Sequence, residues 1–295
     1  MVYFKRKKVK AFLFVLPCTL VILALIIYPL ILSLYLSFNS YNLSVAETWQ
    51  FNGIRNYKTL LSDGRFWNSV QNTLFLVIVG GGIELAFGLG IAFLLNRNLS
   101  GEETAKIIII IPMLMAPVLV AQLWKIMFMP RFGIINYFLQ LLGIVKNEIE
   151  WLSTNRLLGL LSLMIVDIWQ WTPFVAIISF AGLQSLPHSP IEAARVDGAN
   201  NFQMFKYIYI PLLRPILVVI VLMRCIDIYK MFDTVYVLTE GGPGYATETL
   251  SFYIFNVGFK YFDIGYAAAL SYFTVIIISI AMTFFTNMLA KQMRG

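Results

Sequence analysis

The sequence predicts an all-α membrane protein with six transmembrane helices. The chain is 59% apolar, and its mean hydropathy is +0.78. Only 13% of its 295 residues are charged, against about 25% in an ordinary soluble domain. Several apolar runs exceed the roughly 18 residues that a helix needs to cross the hydrocarbon core. The net charge of +7 would suit a nucleic-acid partner, but many basic residues sit at the ends of apolar runs. The positive-inside rule accounts for them without nucleic acid.

The first span covers about residues 11–38. It is too long for the apolar part of a secretory signal, commonly about 7–15 residues, and no clear small-residue cleavage site follows, so it reads as a retained span. The second covers about 70–95 and carries Gly80, Gly81, Gly82, Gly88 and Gly90, small residues that let helices pack closely. The third covers about 107–128. The fourth, about 157–183, contains Pro173, which removes a backbone hydrogen bond and kinks the helix for gating or for packing. The fifth covers about 212–237 and the sixth about 264–289. The chain then divides into a basic N-terminal segment (1–10), the first span with its outer loop (11–66), a transmembrane core (67–289) and a tail (290–295). Gly133–Ile144 is too short to span and predicts a helix lying on the outer interface.

Lys5, Arg6, Lys7, Lys8 and Lys10 precede the first span. Arg97, Lys106, Arg195, Lys206, Arg214, Lys291 and Arg294 fall on the same side of a six-span chain. That side is the cytoplasm, so both termini are expected there. The loop over 39–68 lies outside and holds Trp49, Phe51, Tyr57, Phe66 and Trp67, which read as interfacial anchors or as a contact surface for an extracytoplasmic partner. Cys18 and Cys225 both fall in apolar runs and read as packing residues rather than a disulfide. A single histidine, His188, leaves little room for metal or acid–base chemistry. No phosphate-cradling Gly-x-x-x-x-Gly-Lys-Ser/Thr loop occurs. Gly241-Gly242-Pro243-Gly244 reads as a turn outside the membrane.

A polar stretch interrupts the apolar pattern between spans four and five. Glu192-Ala193-Ala194-Arg195-Val196-Asp197-Gly198-Ala199 predicts a short helix after Pro187 and Pro190, then a glycine turn. Phe202, Phe205 and Ile208 give a second helix an apolar face, and Pro211 suits the first turn of a following helix. Within the spans, charges are costly and mark function by default. Asp167, Gln170, Trp171 and Phe174 share one face of the fourth span. Arg224, Asp227, Ile228 and Met231 share one face of the fifth. Glu84, in the second span, pairs with a neighbouring helix or lies near the interface.

The polar stretch, with Ile208, Pro211 and Pro215, resembles the EAA loop of the permeases of binding-protein-dependent ABC importers. Asn52–Tyr57, Phe66-Trp67 with Asn72-Thr73, Glu84–Leu95, Gly133–Tyr137, Phe232–Thr239, Gly241-Gly242-Pro243 and Ala246-Thr247 extend the likeness over nearly the whole chain, toward the carbohydrate-uptake group of maltose and glycerol-phosphate type. The resemblance implies an ATPase-coupling helix at Glu192, Ala193, Ala194, Asp197 and Gly198. It implies no catalysis and no cofactor on this chain, with ATP and magnesium on a pair of separate ATPase subunits. Its other partners would be a second permease, forming a heterodimer, and an extracytoplasmic solute-binding protein. The setting would be a bacterial or archaeal cell membrane. It also implies solute contacts near Asp167, Trp171, Phe174, Arg224, Ile228 and Met231, with Gln170 and Asp227 on the same faces. A buried Asp167–Arg224 or Arg224–Asp227 pair, or an Arg224 that binds a phosphate or uronate, fits those faces equally. On the solute-binding reading, Arg224→Ala abolishes uptake and leaves assembly intact. The rival function is a stand-alone secondary transporter that uses the intramembrane acids. For a membrane-embedded enzyme, nothing in the sequence resembles a metal cluster or nucleophile elbow.

Overall fold

The computed structural model describes residues 14–45, 49–97 and 101–294, with side chains except at 285 and 288–294. The basic segment 1–10 lies outside the described residues, as do the side chains of Lys291 and Arg294. In chain order the helices are α1 (Phe14–Ser37), α2 (Arg55–Ser62), α3 (Gly64–Leu95), α4 (Glu102–Leu114), α5 (Pro117–Met127), α6 (Ile134–Leu141) and α7 (Arg156–Gln184). Then follow α8 (His188–Val196), α9 (201–229), α10 (Asp233–Leu238), α11 (Leu250–Phe255) and α12 (Ile264–Arg294). Among the described residues, five stretches are long and apolar enough to cross a membrane, and α4 with α5 makes a sixth if the bent pair is one span.

The third apolar run departs from the expected single helix. It is two helices, α4 and α5, meeting at 95°. The reason is local. Pro117 disfavours helical geometry at the residue before it, and Ala116 is accordingly extended, at φ −62° and ψ 134°. Met115 is extended too, with ψ 142°. The fifth apolar run is interrupted as well: α9 ends at Tyr229, and α10 begins at Asp233. The Lys125 ammonium of α5 donates to the Val237 carbonyl at 2.8 Å, at the C-terminal end of α10, where a cation suits the helix dipole. By contrast, α7 runs unbroken through Pro173.

The chain forms two compact units. One holds residues up to Asp63 together with Ile254–Ile280. In it, α1 is apolar all round and largely exposed, as lipid-facing helices are; Cys18 is exposed on it rather than packed. A two-stranded ribbon, β1 (Asn39–Ser40) and β2 (Gln50–Phe51), pairs Asn39 with Phe51 and Ser40 with Gln50. Asn56 Nδ2 donates to the carbonyls of Ser37 and Asn39 at 3.0 and 2.9 Å. Trp49 sits edge-on to Tyr35 and Tyr41, and Tyr57 packs on Phe38. The outer-loop aromatics Tyr41, Trp49 and Tyr57 thus pack against each other or against the end of the first span.

The other unit holds Gly64–Tyr253 and Ala281–Gly295. Its centre is α7 against α3. A core of Leu76, Val120, Phe128, Leu163, Val166 and Val235 fills the space between α3, α5, α7 and α10. Gly88 permits the closest approach: a Cβ there would lie 2.5 Å from Val175 Cβ. Gly88→Leu is expected to overpack this seam and cost about 1–3 kcal/mol, read as a lower melting temperature of the purified protein. An unchanged melting temperature would show that the two helices are free to separate.

Candidate functional site

The intramembrane charges converge. Glu84 of α3, Asp167 of α7 and Arg224 of α9 are all buried. The Arg224 guanidinium holds Glu84 with two bonds: Nε donates to Oε2 at 2.7 Å and Nη2 to Oε1 at 3.0 Å. Nη2 also donates to Asp167 Oδ2 at 2.9 Å. The Trp171 ring, about one helical turn after Asp167, has its centroid 5.0 Å from the guanidinium carbon, an attractive cation–π distance. Asp227, one turn after Arg224, stands 3.6 Å from Nη1, too far for a hydrogen bond. Nη1 is buried and has no hydrogen-bond partner among the described residues. Charges in an apolar interior persist only when paired, and here three helices supply the pairing.

Of the residues expected to face solute, Asp167, Trp171, Arg224 and Asp227 come together. Phe174 stands edge-on to Trp171, with centroids 6.4 Å apart. Gln170 lies elsewhere: its Nε2 donates to the Met115 carbonyl at 3.0 Å, a group left unpaired by the α4–α5 break. Ile228 and Met231 are buried in the apolar core. Glu84 is the member that the sequence leaves unassigned. Its signal is a lone carboxylate in an apolar run, which requires a cation on another helix. A cavity of about 250 Å³ adjoins the cluster, lined by Ile78, Gly81, Val175, Val221 and Arg224.

The polar stretch after α7 is a helical hairpin. α8 closes with two backbone bonds: Ala199 N–H to Ala194 O at 3.0 Å and Gly198 N–H to Arg195 O at 3.1 Å. This is the glycine-dependent Schellman closure, with Gly198 left-handed at φ +78°. Asn200 then caps α9: its Oδ1 accepts from Gln203 N–H at 2.9 Å, and Gln203 Oε1 accepts from Asn200 N–H at 2.8 Å. Ile191 and Met204 anchor the hairpin against Ala92, Leu183 and Leu213. Glu192, Ala193, Asp197 and Gly198 are exposed, and Ala194 is half-buried. Val196 is 87% exposed and Phe202 69%, so the hairpin presents apolar groups as well as charge.

Beyond the other end of α7, residues 239–250 are fastened to α3. Arg65 holds the buried Glu248 with two bonds, at 2.6 and 2.7 Å, and lies over the rings of Tyr245 and Tyr253. Asn72 Nδ2 donates to the carbonyls of Ala246 and Glu248, and Arg156 Nε donates to Asn72 Oδ1 at 2.9 Å. Gly241 and Gly244 take positive φ in this segment, as a turn requires.

The chain is similar to known proteins over most of its length. Residues 84–295 match the family described as the binding-protein-dependent transport system inner membrane component. A probable ABC transporter permease protein of Sinorhizobium fredii, y4oQ, is 38% identical over 266 residues, covering 90% of this chain and 85% of that one. The trehalose/maltose transport system permease protein MalF of Thermococcus litoralis is 35% identical over 273 residues, 92% of this chain and 91% of its own. A chain from the crystal structure of a bacterial ABC transporter involved in the import of the acidic polysaccharide alginate superposes with a TM-score of 0.82 at 22% identity, covering 99% of both chains. That last likeness speaks for the fold. The six-run helical pattern, the exposed hairpin after α7 and the matched residues lead to one assignment: the chain belongs to the binding-protein-dependent transport system inner membrane component family and is a multi-pass membrane permease of an ABC importer.

Proposed function

We propose that this permease carries a sugar or related solute across the cell membrane, driven by separate ATPase subunits that dock on the α8–α9 hairpin. The observation that carries the reading is the hairpin itself, a capped and exposed element that follows α7 and runs on into the apolar part of α9. Glu192, Ala193, Ala194, Asp197 and Gly198 form its docking surface, with Val196 as an apolar anchor. ATP and magnesium bind on the ATPase pair. Both termini and the hairpin lie in the cytoplasm, in keeping with the basic residues on that side. A second, related permease completes the pathway, and an extracytoplasmic binding protein delivers the solute. The sugar assignment draws on the relative named for trehalose and maltose.

α7 enters the hairpin and α9 leaves it, and the two helices carry Asp167 and Arg224. Closure of the ATPase pair therefore moves the two helices that hold the charged cluster, turning the pathway between inward and outward access. Affinity purification of the tagged permease from its native membrane is expected to bring down an ATPase, and Val196→Asp to lose it. A permease that purifies without any ATPase, yet transports, is the result that sinks this reading.

A further inference from the structure

We propose that a cavity at the root of the α8–α9 hairpin holds the phosphodiester headgroup of an anionic phospholipid from the inner leaflet. The cavity is about 380 Å³, within the roughly 300–1,000 Å³ of ordinary ligand pockets. Arg97, just past the end of α3, and Arg195 of α8 both line it, with Asn96 and Asn201. Among the described residues, no acidic side chain lines it, and neither arginine makes an ion pair. Two guanidinium groups without carboxylates to hold offer the forked donors that phosphate oxygens accept. Local sequence explains their placement. Arg195 follows the buried Ile191 by four residues and shares its face of α8. Glu192 and the exposed Val196 share another. Asn96 Oδ1 accepts from Gln184 Nε2 at 2.8 Å, which fixes the end of α3 beside the end of α7.

The rest of the wall is apolar. Phe93 stands edge-on to Phe205 and Tyr209, with centroids 5.1 and 5.3 Å apart. A soluble phosphate gains nothing from such a wall, whereas the methylenes of a lipid lose contact with water against it. Depth agrees with a lipid. The apolar span of α3 ends at Leu95, so Arg97 stands at headgroup level, where basic pockets between spans bind anionic lipid heads. Leu94, three residues before Arg97 on the same face and half-exposed, gives the acyl chains a path along the helix. The choice of leaflet follows from the cytoplasmic hairpin proposed above. The site itself depends on neither the solute nor the ATPase.

The test uses the purified complex of this permease, its partner permease and the ATPase in detergent. Equimolar phosphatidylglycerol and phosphatidylcholine are titrated in, and bound lipid is read by native mass spectrometry. The wild type is expected to retain one more phosphatidylglycerol than an Arg97→Gln/Arg195→Gln variant, and to hold it about tenfold more tightly than phosphatidylcholine. The variant is expected to lose that preference and, because both arginines are exposed, to melt with the wild type. Arg97→Lys/Arg195→Lys keeps the charge without the fork and is expected to keep part of the preference. Equal phosphatidylglycerol retention in the wild type and the glutamine variant overturns the proposal. Displacement of the lipid by an equal concentration of inorganic phosphate overturns it too, and assigns the cavity to a soluble anion. A preference that emerges only after the ATPase is stripped away also overturns it, and assigns the arginines to the ATPase interface. The importer reading survives all three results. It fails instead if no ATPase copurifies, and the same titration then runs on the permease alone.

Discussion

Replacing Arg224 by alanine is expected to abolish ATP-driven uptake and to destabilise the folded permease by about 3–5 kcal/mol. On the solute-binding reading of the sequence the variant assembles normally, whereas a buried pair with Asp167 or Asp227 is the equal alternative. The structure contains the buried pair with Asp167. Arg224 is 3% exposed and holds Glu84 with two bonds and Asp167 with one. Its removal leaves two carboxylates on separate buried helices with no cation between them. Thermal melting in detergent, together with uptake, measures both effects. A triple variant, Glu84→Leu with Asp167→Leu and Arg224→Met, is expected to regain much of the stability, because apolar replacement of a whole buried ion cluster is often neutral or better. It is expected to remain inactive. An Arg224→Ala permease that melts with the wild type would show that the cluster is a surface feature of the assembled pathway.

Gly198→Val is expected to cut uptake more than tenfold while the spans stay folded. Gly198 sits at φ +78°, where a left-handed residue with a Cβ costs roughly 1–2 kcal/mol and a β-branched one is a strong outlier. Among the described residues, no atom beyond its chain neighbours lies within 4 Å of the position its Cβ would take, so the cost is backbone conformation and not crowding. The variant loses the closure in which Gly198 and Ala199 bond back to Arg195 and Ala194, and the hairpin no longer meets the ATPase in one geometry. Gly198→Asn, which tolerates the left-handed region, is expected to keep most activity. Co-purified ATPase and uptake are measured together on both variants; equal loss in both would point to the side chain's bulk instead.

Much of this was legible from residue type alone. Long apolar runs announced the spans, and Glu192–Gly198 stood out because charge and glycine interrupt them. Gly198 itself implied a turn, since few other residues accept that backbone. The α4–α5 break was harder to read: hydropathy over 107–128 is continuous, and only Pro117 with its effect on Ala116 marks the bend. Gln170 shares a helix face with Asp167 and Trp171, yet the break gives it a carbonyl to satisfy. Helical periodicity assigns a face and says nothing of which neighbour arrives there. Glu84 shows the same limit. Its partner is 140 residues away in sequence, and no local pattern links positions 84 and 224.

The three-helix charge cluster also constrains how this sequence can drift. Loss of the arginine at position 224 strands two buried acids, at 84 and 167, whereas loss of one acid leaves the arginine paired with the other. Lineages that exchange the arginine for a neutral residue are therefore expected to have lost both acids as well. A relative that keeps all three will have kept the same register among α3, α7 and α9.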